Sequence, residues 1–186
     1  MARTPSVMPP LGGVAPDFTL PDPSGQLWTR DRIKGPKGLL VMFICNHCPF
    51  VKHIASELAR LGKDLAADGI GVVAISSNDV ANYPDDRPEL MALEAKHRGY
   101  TFPYLYDASQ DVAKAFQAAC TPDFFLYDNA LRLVYRGQLD ASRPGNETPV
   151  TGQDLRRAAA ALVAGQAVPE PQIPSIGCNI KWRPAH

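Results

Sequence analysis

The sequence carries no net charge: 19 Lys and Arg stand against 19 Asp and Glu. With no basic stripe to neutralise phosphates, no nucleic-acid partner is expected. No apolar run approaches the roughly 18 residues of a membrane span, so no membrane partner is expected either. Residues 1–13 hold one Arg and no apolar stretch, so a secretion signal is not predicted. Cysteine is scarce, and four in 186 residues do not make a disulfide scaffold. The first cysteine pair has no second CxxC and no HxxxH to complete a metal site of four ligands, so no metal is predicted. The resulting expectation is a cytoplasmic protein, although a chain trimmed of its leader would look the same. In that setting a cysteine pair is catalytic or metal-binding rather than structural.

What is present suits a folded domain. Apolar residues make up 45% and charged residues 20%, enough for a buried core and against bulk disorder. The length fits one domain over residues 1–186, with a core at about 12–168 and a C-terminal arm at 169–186. Proline is in excess and sits at the ends: of 18, six fall in the first 23 residues and four between Pro169 and Pro184. Such ends are extended arms wrapped on a domain, or loose tails. Ile173, Ile176, Ile180 and Trp182 favour docking for the C-terminal arm.

The middle reads as one α/β unit. Leu39 to Ile44 is an uninterrupted apolar run, the pattern of a strand buried on both faces. Val51, Ile54, Ala55, Leu58, Leu61 and Leu65 then recur at helical spacing. Asn46, a favoured N-cap residue, is the expected start of that helix. Ile70 to Ile75 is a second buried strand and completes a βαβ unit. A loop follows over Ser76 to Arg87, then a helix over Pro88–Gly99, a strand over Phe102–Tyr106 and a helix over Gln110–Ala119. Phe124–Tyr127 and Leu131–Arg136 flank Asp128-Asn129 as a hairpin. A last helix starts near Thr151, with Gly165 beyond its end. The order β-α-β-α-β-α-β-β-α implies a mixed sheet with helices on both faces.

Cys45-Asn46-His47-Cys48 stands where the first buried strand meets the helix. A helix N-terminus carries about half a positive charge and unpaired N–H groups, which stabilise a thiolate. The two-residue spacer lets one thiol attack a mixed disulfide formed at the other. His47 adds positive charge beside the pair and is expected to depress the Cys45 pKa further. Cys45 is expected to be the more exposed, attacking thiol. Cys48, followed at once by Pro49, resolves.

Three segments carry a resemblance: Gly13-Val14-Ala15-Pro16-Asp17-Phe18-Thr19-Leu20, Phe43-Ile44-Cys45-Asn46-His47-Cys48-Pro49, and Cys120-Thr121-Pro122-Asp123-Phe124-Phe125. They resemble the thioredoxin superfamily, on its branch shared with peroxiredoxin-like (alkyl hydroperoxide reductase/thiol-specific antioxidant) proteins. More closely, the chain is similar to a bacterial group of thioredoxin-family proteins ending in Gly-Cys-Asn-Ile-Lys-Trp, here Gly177 to Trp182. The resemblance spans roughly residues 12–183. It implies a thioredoxin-like fold with N- and C-terminal extensions, and a cis-proline at Pro122 packed beside the CxxC. Thr121 and Asn46 would then meet an extended substrate, Thr121 through its backbone. It implies thiol–disulfide exchange on protein disulfides or small-molecule thiols, with no cofactor beyond a redox-active Cys45–Cys48 disulfide.

Two departures bear on the chemistry. Ile44 stands where thioredoxin has Trp, and Leu39 to Ile44 lacks thioredoxin's buried Asp. Asn-His between the cysteines resembles disulfide oxidases and isomerases, and implies a couple more oxidising than thioredoxin's roughly −270 mV. The peroxiredoxin side of the resemblance implies an antioxidant peroxidase instead, with Cys48 attacking, Cys45 in place of the usual Thr, and Arg143 as the activating cation. A metal-binding or interaction module on the same fold is the non-enzyme alternative. Cys120 reads as a small buried residue. Cys178 in the arm is expected either to pair with Cys120 or to relay to the active pair.

Overall fold

A computed structural model describes residues 3–185. Its centre is a strand, Gly38–Phe43, with every residue buried. A parallel neighbour, Ile70–Ser76, lies on one side and an antiparallel one, Asp123–Asp128, on the other. Pairing on both edges satisfies the backbone, so the side chains are free to be apolar on both faces. Leu40 and Met42 point into one cluster with Val51, Ile54, Leu58, Met91 and Leu155. Leu39, Val41 and Phe43 point into the other, with Phe18, Leu20, Phe116 and Phe125. Phe43, Phe116 and Phe125 meet there in tilted and edge-on contacts, with centroids 5.6–5.9 Å apart.

In chain order the strands are β1 Arg3–Pro5, β2 Thr19–Pro21, β3 Leu27–Thr29, β4 Gly38–Phe43, β5 Ile70–Ser76, β6 Tyr104–Tyr106, β7 Cys120–Thr121, β8 Asp123–Asp128, β9 Leu133–Arg136 and β10 Ile176–Asn179. The α-helices are α1 Arg30–Ile33, α2 Pro49–Ala67, α3 Pro88–Arg98, α4 Asp111–Phe116 and α5 Gln153–Val163. The main sheet runs β6-β5-β4-β8-β9. Helices α2, α3 and α5 send their buried residues to the Leu40 face, and α4 with the N-terminal segment covers the Leu39 face. This is the mixed sheet and two-faced helical cover that the sequence predicts. Among the described residues no helix is long and apolar enough to cross a membrane.

Four points differ from expectation. Helix α2 begins at Pro49, not near Asn46, and Cys48 is its N-cap. Proline suits the first helical position because its fixed φ and missing N–H cost nothing there. Helix α4 is shorter than Gln110–Ala119, because Gln110 and Gln117 at its two ends both adopt left-handed backbone, with φ of 68° and 57°. Within the arm, Ile180 is buried, whereas Ile173 and Trp182 are 53% and 40% exposed and anchor little. The arm is also a strand: β10 lies between β1 and β7 in a second, antiparallel sheet. These pairings are three and two residues long and the first contains Pro5, too short for a periodic pattern to announce them.

Candidate active site

The end of β4 and the start of α2 deliver Cys45 and Cys48 to one point. Both are buried, at 2% and 0% exposure. Cys45 Sγ lies 3.6 Å from the Thr121 hydroxyl, and Cys48 Sγ lies 3.2 Å from the Thr121 carbonyl oxygen. Thr121–Pro122 is a cis peptide, as the resemblance implied.

The turn between the cysteines is held by a residue from the segment Ser76 to Arg87, a loop by sequence. Asp86 ends a short 3-10 turn, Pro84–Asp86, and is fully buried. Its carboxylate accepts from the Asn46 N–H at 2.8 Å, the His47 N–H at 3.2 Å and the Asn78 amide at 2.8 Å, and it pairs with His47 Nδ1 at 2.5 Å. The Asp86 hydrogen bond pushes the His47 pKa up, against burial, and so favours the imidazolium form beside the carboxylate. Burial pushes Asp86 up, but hydrogen bonds from His47 and Asn78 outweigh it and hold the carboxyl below its usual range. His47 therefore spends its charge on Asp86, and its ring stacks on Tyr83 with centroids 5.8 Å apart.

This arrangement divides the two thiols. Cys45 is pushed up, first by the hydrogen bond it gives to Cys48, then by burial and by the nearby Asp86 charge. Cys48 is lowered to about 4, chiefly by that hydrogen bond from Cys45, against burial and with help from Cys178, Thr121 and the Val51 N–H. The Thr121 carbonyl oxygen, 3.2 Å away, accepts from the Cys48 thiol in its protonated form. Cys45 is thus pushed up where the sequence leads one to expect a depressed thiol, and the lowered one is Cys48, the N-cap of α2.

A third sulfur completes the group. Cys178 lies opposite Thr121 in the β10–β7 pairing, and its Sγ is 2.9 Å from Cys48 Sγ. Burial and the Cys48 thiolate push Cys178 up to about 12, while Lys181 acts to lower it. The strand is seated by close fits. Ser175 Oγ donates to the Pro122 carbonyl at 2.6 Å, and Gly177 passes directly over Thr121 and Pro122. Ser6 donates its N–H to the Ser175 carbonyl at 2.9 Å, and its hydroxyl donates to Asp123, whose carboxyl burial pushes up to about 6. Lys181, 8% exposed, ties the arm to the loop after β5: its N–H donates to Asn78 Oδ1 at 2.9 Å, and its Nζ lies 5.6 Å over the Tyr83 ring.

The other predicted site residues fall differently. Asn46 is a structural anchor rather than a substrate contact: its amide donates to the Asp85 carbonyl at 3.0 Å and accepts from the Tyr104 hydroxyl at 2.9 Å. The Thr121 backbone is paired with the chain's own strand, not open to an incoming peptide. Arg143 donates to the Asp140 and Ser142 carbonyls and to Gln138, and so braces its own loop. Cys120 is buried, its thiol directed to the Pro122 carbonyl at 3.5 Å, and burial pushes it far up. The sulfur that Cys178 meets is that of Cys48, at 2.9 Å, which is the placement of the relay alternative rather than of a Cys120–Cys178 disulfide. One ligand atom each from Cys45, His47 and Asp86 lies within 4.8 Å of the others, a spacing that can hold a metal ion. Asp86, Asn78, Tyr83 and Lys181 were missed, because only the folded chain brings residues 78–86 and 181 to the motif.

Residues 11–136 match the model of the AhpC/TSA family. An uncharacterized conserved protein from Geobacillus kaustophilus is 52% identical, with a TM-score of 0.98 over 100% of this chain and 99% of that one. The thioredoxin domain of the thiol-disulfide oxidoreductase BVU-2223 from Bacteroides vulgatus shares the fold at 20% identity, with a TM-score of 0.57 over 68% of this chain and 87% of that one. So does the peroxidoxin BcpB from Mycobacterium tuberculosis at 18%, with a TM-score of 0.60 over 83% and 96%. No curated protein matches the chain.

Proposed function

We propose a thiol–disulfide oxidoreductase, proceeding from the fact that this chain belongs to the AhpC/TSA family. The observation that carries the reading is the meeting of Cys45 and Cys48 against Thr121 and its cis peptide to Pro122, at the head of a 19-residue helix, with Cys48 lowered and Cys45 raised. A thiolate is the nucleophile of disulfide exchange, and a neighbouring thiol in contact with it is the resolving group. Cys48 attacks one sulfur of a substrate disulfide, and the other substrate sulfur leaves as a thiolate. Cys45 then attacks Cys48 Sγ, and its proton goes to the second departing sulfur. The products are a Cys45–Cys48 disulfide, one substrate thiol and one substrate thiolate, which takes its proton from water. The substrates are disulfide-bearing proteins or small-molecule disulfides, and no cofactor is required beyond the cysteine pair.

One observation favours a peroxidase as the second reading. Cys48 is a fully buried thiolate followed by Pro49, a site that admits a small oxidant more readily than a protein. Against it, Arg143 is engaged in its own loop. Consumption of oxidised glutathione and of hydrogen peroxide, measured on one reduced preparation, separates the two. Oxidation by the disulfide with a Cys45–Cys48 product supports exchange. Rapid turnover of peroxide with sulfenic acid at Cys48, and no reaction with disulfides, replaces it with the peroxidase.

A further inference from the structure

Thiol exchange at Cys45 and Cys48 leaves one sulfur unexplained. Cys178 comes from the far end of the chain, is 2% exposed, and touches Cys48 at 2.9 Å. Its position is fixed by backbone rather than by side-chain torsion alone. Cys178 is in register with Thr121 on one edge of β10 and with Arg3 on the other. Gly177 before it has no room for a Cβ, which would stand 1.9 Å from the Thr121 carbonyl oxygen. A side chain whose approach is set this tightly on a nucleophilic sulfur is placed to react with it.

We propose that Cys178 is a second resolving thiol, which takes Cys48 into a Cys48–Cys178 disulfide. The proposal rests on the exchange reading above. When Cys48 is joined to a substrate sulfur, Cys178 Sγ attacks Cys48 Sγ. The Cys48–substrate bond breaks, the Cys48–Cys178 bond forms, and the Cys178 proton goes to the departing substrate sulfur. When Cys48 is joined to Cys45, the same attack releases Cys45 as a thiol. No outside oxidant enters either step, because the disulfide being attacked is the oxidant.

The electrostatics give the step its order. In the reduced protein the Cys48 thiolate is among the groups that hold Cys178 protonated. Once Cys48 is in a disulfide its charge is gone, and Lys181, which favours the Cys178 thiolate, remains. Oxidation of Cys48 thus removes one of the groups that hold Cys178 protonated, while burial, the first of them, stays and Lys181 goes on lowering it. A strand that closes over Thr121 thus also carries the thiol that acts on Cys48.

The test treats reduced Cys45→Ser, Cys178→Ser and the Cys45→Ser/Cys178→Ser double variant with oxidised glutathione, and maps tryptic peptides without reduction. Cys45 and Cys48 share the peptide 38–52, Cys178 lies in 158–181 and Cys120 in 115–132, so each peptide pairing has its own mass, and the Cys45→Ser variant assigns a 38–52/158–181 link to Cys48. Cys45→Ser is expected to give peptide 38–52 linked to 158–181. The glutathione adduct on Cys48 should persist on the order of 100-fold longer in the double variant, as expected when a pre-positioned group is removed. Equal lifetimes in the single and double variants would overturn the proposal. Cys178→Ser reports on the exchange reading by itself: a Cys45–Cys48 disulfide there sustains that reading even when Cys178 proves inert, and its failure to form removes that reading instead. In wild-type protein quenched with N-ethylmaleimide during oxidation, the 38–52/158–181 link should also appear. Its absence there counts against the proposal whatever the variants' folding.

Discussion

Gly177→Ala puts the seating of the C-terminal strand to a quantitative test. The added Cβ would stand 1.9 Å from the Thr121 carbonyl oxygen, 2.6 Å from its carbon and 3.1 Å from Pro122 Cδ. All three atoms belong to the backbone or to a proline ring, so none can swing aside. The strand must retreat by about 1 Å or more, and overpacking of this kind costs about 1–3 kcal/mol. That retreat also lengthens the 2.6 Å Ser175–Pro122 hydrogen bond, about 1 kcal/mol more. A loss of about 3 kcal/mol at this chain length lowers Tm by about 6–12 °C. The sign is diagnostic. Where space is free, Gly→Ala stabilises by about 0.4–1 kcal/mol through the unfolded chain. Calorimetry should therefore show a fall in Tm, and hydrogen exchange should show faster exchange over Ile176–Asn179. An unchanged or raised Tm, with unchanged protection of those amides, would refute the packing argument.

Three further outcomes are expected. With Cys48 lowered to about 4, attack on oxidised glutathione should be flat from about pH 5.5 to 8 and fall below about pH 4; a rate climbing through the usual thiol value of about 8.5 contradicts the assignment. The same depressed pKa adds stability that is fully present above the unfolded thiol's value and lost as pH falls through the folded one. Asp86→Asn should cost about 2–3 kcal/mol by leaving buried donors poorly matched. It should also return the His47 titration, followed by NMR, from above to near about 6.5; because a raised His pKa stabilises at low pH and is lost as pH rises, that slope in stability should vanish too. Truncation after Val168 removes the buried Ile180, worth about 1.5–3 kcal/mol alone, together with both β10 pairings. A truncated chain with the full-length Tm would mean that the arm contributes nothing.

The sheet and its helices were legible because their signals are local. Leu39 to Ile44 has no polar residue, and α2 repeats its apolar positions over five turns, so strand and helix follow from period alone. The cysteine motif was legible for the same reason: four consecutive residues at a strand–helix junction. What the sequence hid is set by residues far apart along the chain. Asp86 meets the motif from 39 positions away and Cys178 meets Cys48 from 130 positions away. No periodic pattern encodes either contact. The error over which thiol is depressed has the same origin. His47 beside Cys45 suggested a free positive charge, and only the fold shows Asp86 taking that charge and setting its own carboxylate near Cys45.

The second sheet has a consequence for how the site comes into being. Arg3 faces Cys178 across β1 and β10, so the cover over the thiols is woven from the two ends of the chain. During synthesis Cys45, Cys48 and Thr121 leave the ribosome well before residue 178 does. A nascent chain can therefore fold its main sheet and present an uncovered thiol until Ile176–Asn179 emerges.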